Sequence, residues 1–196
     1  MMQALAEATD VAAVLGRPLT IDEVRRVDAI LQKASELFRR AARQDFTSDE
    51  STSRLKVNGG IVVLPQRPVT GITSVVDDTG IDVPYIQQAG RLQVFDPGCP
   101  SLPLGSDAFV NVTYSHGGTV PDLVRLTVAE VAKKVLSIDP QAASGATNGS
   151  HTAGPFSESL TYANWAQGGQ TMLAPDDLAI ARSYRVRVPT VWVQQP

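Results

Sequence analysis

Residues Thr20 to Phe46 read TIDEVRRVDAILQKASELFRRAARQDF, the longest periodic run in the chain. Val24, Val27, Ile30, Leu31, Ala34, Leu37, Phe38 and Ala41 recur at spacings of three and four and line one face of a helix. Asp28, Gln32, Lys33, Glu36, Arg39, Arg40 and Arg43 take the rest of the circumference. Thr20 followed by Glu23 is a capping-box pattern, and Asp22 and Glu23 at one end against Arg39, Arg40 and Arg43 at the other suit the helix dipole. The spacing therefore predicts a helix over 20–46. Its apolar face needs a partner, and the other long candidate is 120–138, where Pro121 and Asp122 start a helix carrying Leu123, Val124, Leu126, Thr127, Val128, Val131, Val135 and Leu136.

Outward from the long helix, Thr9 is placed to cap a short helix over about 9–16 that ends at Gly16 and Pro18. Val11, Val14 and Leu15 make that helix dock on the long one, because an isolated helix of two turns is marginal in water. Asp45 to Ser53 is small or acidic and reads as a loop. A β-rich insertion is expected over about 54–115. Within it, Leu55 and Val57, then Asn58-Gly59-Gly60, then Ile61 to Leu64 form the clearest hairpin signal. Val69, Ile72, Val75 and Val76 suggest a strand of imperfect alternation, Asp77-Asp78-Thr79-Gly80 a turn, and Tyr85-Ile86-Gln87 a strand that pairs back. Arg91 to Phe95 alternates, Asp96 to Gly105 reads as a protruding loop, and Ala108 to Ser115 alternates cleanly.

The last third is less regular. Asp139 to Gly154 has no apolar rhythm and reads as a surface loop or arm, while Phe156, Leu160, Tyr162 and Trp165 favour extended chain. Pro175-Asp176-Asp177 starts a helix over about 175–184 with Leu178, Ile180, Ala181 and Tyr184. Residues 186–196 form an apolar tail through Val186, Val188, Val191, Trp192 and Val193, which either adds a strand to its own sheet or reaches a neighbour. The expected fold is α+β and mainly helical: a small helical bundle with an inserted antiparallel β region and an extended C-terminal tail, with 1–185 as a single domain.

The chain has 196 residues, a formal net charge of -3 and a single cysteine, Cys99, which rules out an intrachain disulfide. With a pI near 5.3 there is no basic footprint for nucleic acid. No run approaches about 18 apolar residues, and Met1 to Asp10 lacks a basic segment before a hydrophobic one, so neither a membrane span nor a signal peptide is expected.

Signals for chemistry are weak. His116, His151 and Cys99 are widely spaced and follow no metal-ligand pattern. Ser115 adjoins His116, but neighbours on a strand point to opposite faces, and no nucleophile-elbow pattern surrounds either serine or Cys99. The acid pairs Asp49-Glu50, Asp77-Asp78 and Asp176-Asp177 sit at turns or a helix start, where local backbone reasons account for them. Asn58-Gly59-Gly60 and His116-Gly117-Gly118 lack the phosphate-loop pattern. Arg39, Arg40 and Arg43 read as a solvated or ion-paired helix face. No catalytic, cofactor-binding or metal residue is assigned, and the chain is not expected to be an enzyme.

The order of elements carries more. Thr9-Asp10-Val11-Ala12 running to Gly16-Arg17, the long helix, Leu64-Pro65-Gln66-Arg67-Pro68-Val69 with Ile72 and Val75, and Val112-Thr113-Tyr114-Ser115-His116-Gly117 leading to Val120-Pro121 follow one another. Gly154-Pro155-Phe156-Ser157-Glu158-Ser159 and the helix start at Pro175 come after them. From about Thr9 to Tyr184 this series resembles the head-to-tail connector, or adaptor, proteins of long-tailed double-stranded DNA phages.

The resemblance implies a structural virion protein of the viral neck. Such proteins form an oligomeric ring, usually a dodecamer, beneath the portal protein, with a stopper, tail terminator or tail-tube protein below. Double-stranded DNA passes through the channel without sequence-specific binding, and the expected location is the portal vertex of the virion after synthesis in the bacterial host cytoplasm. It implies no catalytic residue, no cofactor and no membrane. The alternatives are another neck component, such as a stopper or tail terminator, or a binding module outside phage. Mild negative charge suits a bore through which DNA must not stick. The glycine-rich loop 141–154 and the tail 186–196 are where family members differ.

Overall fold

A computed structural model describes residues 3–138, 148–153, 156–161 and 171–186. Among the described residues it shows a mixed α/β fold with four helices, two small antiparallel sheets and a separate two-stranded ladder, and no sheet closes into a barrel. Helices and strands share those residues about equally, against the expectation of a mainly helical chain. The chain divides into two compact units, Met1–Ala42 with Val120–Ser183, and Arg43–Thr119 with Tyr184–Pro196.

The first unit holds the helices. Helix α1 spans Ala8–Leu15 and α2 spans Ile21–Ala42. Helix α3 spans Asp122–Leu136 and α4 spans Pro175–Ser183. The cap of α1 is Glu7 with Asp10 rather than Thr9, since the Glu7 backbone N–H donates to the Asp10 carboxylate at 2.9 Å. Gly16 ends the helix in the left-handed conformation, φ 71°. The capping box of α2 forms as the sequence predicts: the Thr20 N–H donates to Glu23 at 2.8 Å and the Glu23 N–H to Thr20 Oγ1 at 3.3 Å.

Helix α2 stops at Ala42, short of Phe46, because Arg43 takes φ 55° and Phe46 φ 65°, which no α-helix accommodates. Val27, Ile30, Leu31, Ala34, Phe38 and Ala42 are buried on α2, and Val124, Val128, Val131 and Val135 on α3. Three residues of each expected face are not core. Val24, Leu123 and Leu126 are exposed, and Leu37 and Ala41 on α2 and Leu136 on α3 are only half-buried.

Polar ties fix the helix directions. Asp10 of α1 meets Arg125 of α3 at 3.6 Å, and Lys133 of α3 donates to the Val14 carbonyl of α1 at 3.1 Å, so α1 and α3 run the same way. The Leu5 N–H donates to Ser35 Oγ at 2.9 Å, and Arg39 to the Gln3 carbonyl at 2.6 Å, so the entry to α1 lies beside the end of α2. Helix α2 is thus antiparallel to both. Its first turn lies at the end of the unit where α3 finishes, and the first turn of α3 lies at the opposite end. Helix α4 packs on α2. Strands β8 (Asn148–Ala153) and β9 (Phe156–Thr161) form an antiparallel ladder; β8 lies where a loop over 141–154 was expected, and β9 where Phe156 and Leu160 favour extended chain. The loop's remainder, Tyr162, Trp165 and tail residues 187–196 lie outside the described residues.

The second unit holds the two sheets. In order along the chain its strands are β1 (Asp49–Lys56), β2 (Ile61–Val63), β3 (Val69–Asp77) and β4 (Tyr85–Gln88). They continue with β5 (Arg91–Asp96), β6 (Cys99–Pro103) and β7 (Phe109–His116). One sheet has the order β1-β7-β3; the other is β2-β5-β4, with β6 on β5. Val110, Val112 and Tyr114 of the central strand β7 point inward, and with Val57, Val62, Leu64, Val75, Leu92 and Val94 they form one buried cluster. Each full burial of a valine or leucine is worth about 1.5–3 kcal/mol, so these alternating strands hold the unit together.

Three expectations for this region need correction. Asp49 to Ser53 is strand, because its backbone pairs with β7 from Asp49↔His116 through Lys56↔Phe109; Asp49, Glu50 and Thr52 are exposed, while Ser51 and Ser53 are half-buried. The Asn58-Gly59-Gly60 turn exists, with φ 57° and 75° at its glycines, but it is a corner and not a hairpin between paired strands. A lone bridge Asn58↔Ile61 spans it, after which β1 lies in one sheet and β2 in the other. Cys99–Pro103 is a strand on β5 where a loop was expected. The imperfect alternation of β3 has a cause in two register shifts, between Val69 and Gly71 and between Ile72 and Ser74.

Candidate functional site

His116 closes β7 and is buried, at 2 % exposure. Its Nε2 lies 2.8 Å from the hydroxyl of Ser51 on β1, while Nδ1 has no hydrogen-bond partner among the described residues. Ser115 is on the other face of the strand, as alternation requires. Ser51 was not legible as the partner, because the strand that carries it reads as a loop. A serine beside a histidine is the start of a nucleophile–base relay, but such a relay also needs a group that orients the imidazole and an opening for substrate. Here the histidine is buried and the serine half-buried, and among the described residues nothing bonds the second ring nitrogen to orient it.

The acid pairs are occupied locally. The Asp77 carboxylate accepts from the Thr79 N–H at 2.8 Å, the Thr79 hydroxyl at 2.7 Å and the Ile81 N–H at 2.9 Å. These bonds, the Thr79 hydroxyl first, hold Asp77 below the usual carboxylate range. Asp78 takes both arms of Arg54, at 3.0 and 2.8 Å, and is also lowered. Arg54 in turn stacks over Phe109, 3.9 Å from the ring centroid. Thr73 donates to Glu50 at 2.7 Å. Asp177 pairs with Lys134 and caps α4 through the Ala174 N–H. Cys99 is exposed, and the side chain of His151 lies outside the described residues. Among the described residues no three His, Cys, Asp or Glu side chains converge to hold a metal ion.

The arginine face of α2 is not uniformly solvated. Arg39 is 6 % exposed and ties down the N-terminal segment, whereas Arg40 is exposed. What the structure offers outward is contact surface. Among the described residues of the helical unit, the exposed large apolar side chains are Ile21 (75 %), Val24 (53 %), Leu123 (53 %), Leu126 (45 %) and Met172. All but Met172 sit in the first turns of α2 and α3. The excess width of the α3 apolar stripe, which holds Leu123 and Leu126 beside Val124, Thr127 and Val128, is the sequence signal for this.

In the sheet unit, Ile61, Gln93 and Ile86 form one cross-strand row, with Ile61 and Ile86 exposed. Strand β4 is an edge with every residue exposed and no charge of its own. Both features suit a protein that makes contacts, since unguarded edges and apolar patches are where chains join. No helix among the described residues is long and apolar enough to cross a membrane. In comparison with known proteins, no family model matches the chain and no curated sequence matches it.

Proposed function

We propose that the chain is a head-to-tail adaptor of a long-tailed phage, a structural virion protein whose copies form a ring beneath the portal. In this reading the ring extends the DNA channel and joins capsid to tail. The helical unit is the small bundle of the subunit, the sheet unit is its β-rich insertion, and residues 186–196 are an arm for the portal or a neighbouring subunit. The stopper, tail terminator or tail tube lies below, double-stranded DNA passes through unread, and no catalytic residue or cofactor takes part.

One observation carries the reading. The helical unit draws together Met1–Ala42 and Val120–Ser183, so the sheet unit is an insertion between α2 and α3, in the order that the resemblance implies. The exposed apolar turns and the bare β4 edge supply lateral surfaces of the kind a ring subunit needs. A stopper or tail terminator is the second reading, favoured by a strand content equal to the helix content.

The test is the mass of the purified protein, alone and mixed with the portal of its phage. A ring-sized complex with portal is expected. A protein that ignores portal and binds an isolated tail terminator or tail tube instead belongs to the second reading, and one that binds no neck component overturns both. Deleting residues 186–196 is expected to leave the fold intact and weaken assembly; unchanged portal binding would return the tail to the subunit's own sheet.

A further inference from the structure

Strand β4 has β5 on one side and, among the described residues, no strand on the other. The Phe95 N–H donates to the Pro84 carbonyl at 2.9 Å, which marks Pro84 and Phe95 as a hydrogen-bonded pair. Bonded and non-bonded pairs alternate along an antiparallel ladder, so in the register Tyr85↔Val94 to Gln88↔Arg91 the backbone groups of Ile86 and Gln88 face β5. Those of Tyr85 and Gln87 face the open edge. The other edges are short or guarded: β2 is three residues long, β1 carries Asp49, Glu50, Arg54 and Lys56, β3 has two register shifts, and β6 holds Pro100 and Pro103. Strand β4 has four exposed residues, no charge, and Ile86 at 53 % exposure.

The described C-terminus comes down on the same side of the sheet unit. Tyr184 belongs to this unit and packs edge-on against Phe46, with ring centroids 5.3 Å apart. Next to Phe46, the Asp45 N–H donates to Gln66 Oε1 at 2.9 Å, and two residues before Gln66 the Leu64 N–H donates to the Gly90 carbonyl at 3.2 Å. Gly90 lies in the turn after Gln88, so the chain passes Val186 on the side where β4 finishes. Ten residues follow, 187–196, and they reach about 33 Å when extended. The length of β4 takes up about 13 Å of that. Thr190, Val191, Trp192 and Val193 are the β-prone part of the tail, directly after Pro189.

We propose that the tail lies on the open edge of β4 in its own copy, antiparallel to it, with Val191 paired to Gln87 and Val193 to Tyr85. A tail that arrives at the Gln88 end and runs toward Tyr85 is antiparallel of necessity. In this register Val191 and Val193 extend the rows of the buried Leu92 and Val94, and Trp192 stands beside Ile86 and covers the exposed row of Ile61, Gln93 and Ile86. A shift by one residue sets polar Thr190 in the Leu92 row or Gln194 in the Val94 row. A shift by two sets Pro189, which has no N–H, against Gln87, or Gln194 beside Ile86. Edge and tail complement each other within one copy, so the inference stands apart from the adaptor reading. It states where the arm lies before a partner draws it away.

Two measurements on the full chain test this. In the first, Ile86→Cys and Trp192→Cys are combined with Cys99→Ser. Residues in a non-bonded pair have Cα atoms about 4.5 Å apart, within disulfide reach. Oxidation is expected to give a cross-linked monomer on non-reducing electrophoresis. Ile86→Cys with Val191→Cys puts the thiols on opposite faces and is expected to cross-link about tenfold more slowly or less. A disulfide-linked dimer would put the tail on a second copy and overturn the proposal, as would no disulfide or equal yields from the two pairs.

The second measurement is amide hydrogen exchange at Tyr85 and Gln87, which is expected to be slow in the wild type although neither N–H bonds to β5. Val191→Pro removes the N–H that Gln87 accepts, and it is expected to speed both amides by about tenfold or more while Ile86, bonded to β5, keeps its rate. Thermal melting shows that the variant remains folded. Fast exchange at Tyr85 and Gln87 in the wild type overturns the proposal, as do equal rates in the two proteins.

Discussion

Lys134 of α3 and Asp177 of α4 form an ion pair of 2.9 Å in which the aspartate side chain is 5 % exposed and the lysine 33 %. The same carboxylate accepts the Ala174 N–H at 3.1 Å, so it both caps α4 and binds it to α3. The burial is unequal, and so are the consequences of removing each partner. Lys134→Met strands a buried carboxylate and is expected to cost about 2–4 kcal/mol. Asp177→Asn leaves a lysine that can turn toward water and keeps an acceptor for Ala174, so about 1 kcal/mol is expected. Urea unfolding of both singles and the double variant checks the order. A double variant no worse than Lys134→Met confirms the coupling, and additive losses would refute it.

Gly117 and Gly59 share a left-handed backbone but differ in surroundings. Gly117 has φ 78°, and an added Cβ would run into the Thr47 carbonyl; Gly59 has φ 57° and open space around it. Gly117→Ala therefore carries the conformational cost of about 1–2 kcal/mol together with a backbone clash, and a loss well above 2 kcal/mol is expected. Gly59→Ala carries the conformational cost alone. Thermal melts of the two variants side by side test the difference, and equal losses would show that the Thr47 approach relaxes freely.

Helix α2, its capping box and the start of α4 were legible because each rests on local rules: apolar spacing, Thr20 with Glu23, proline before two acids. The strand at Asp49–Lys56 was not. Its first residues are polar even where they alternate onto the half-buried face, as Ser51 and Ser53 do, and their reason for being extended is the partner β7, far away in sequence. The Asn58-Gly59-Gly60 corner was misread for a related reason, since an Asn-Gly signal reports the turn and not where the following strand pairs. Exposure of Leu123 and Leu126 was hidden because an apolar residue on a helix announces a contact without saying whether the contact lies inside the subunit. The Ser51–His116 pair required the same long-range register as β1 itself.

Gln44 is a clamp within the sheet unit, holding the start of that unit to the segment before β3. Its amide nitrogen donates to the Pro65 carbonyl at 2.6 Å, and its oxygen accepts from the Arg67 N–H at 2.8 Å. The residue is 4 % exposed, and both bonds are partly buried. Gln44→Ala leaves two backbone groups unpaired, and a loss of about 2–3 kcal/mol is expected. Gln44→Glu keeps the acceptor and sets a carboxylate against the Pro65 carbonyl, so it is expected to be at least as damaging. Chemical denaturation reads both, and a glutamate variant as stable as the wild type would show that the Pro65 bond carries no weight.

Glu23 gives the fold a defined acid sensitivity. Its carboxylate accepts both arms of Arg17 at 2.7 and 2.8 Å, together with the Thr20 N–H. The Arg17 bonds first, and the Thr20 bonds after them, lower it from an ordinary value of 4.5 to about 2. A carboxyl group lowered on folding binds fewer protons in the native state than in the unfolded chain between those two values. Its stabilising contribution is therefore complete above about pH 4.5 and is lost as pH falls toward 2. Glu23→Gln should be less stable than the wild type at pH 6, and the gap should narrow through that window and close near its lower limit. Asp77 and Asp78 are lowered as well and titrate in both proteins, so the quantity to follow is the difference between the two urea midpoints. A gap that stays constant from pH 6 to 2 would mean that the carboxylate charge at Glu23 contributes nothing to the start of α2, and that the capping box acts through its neutral hydrogen bonds alone.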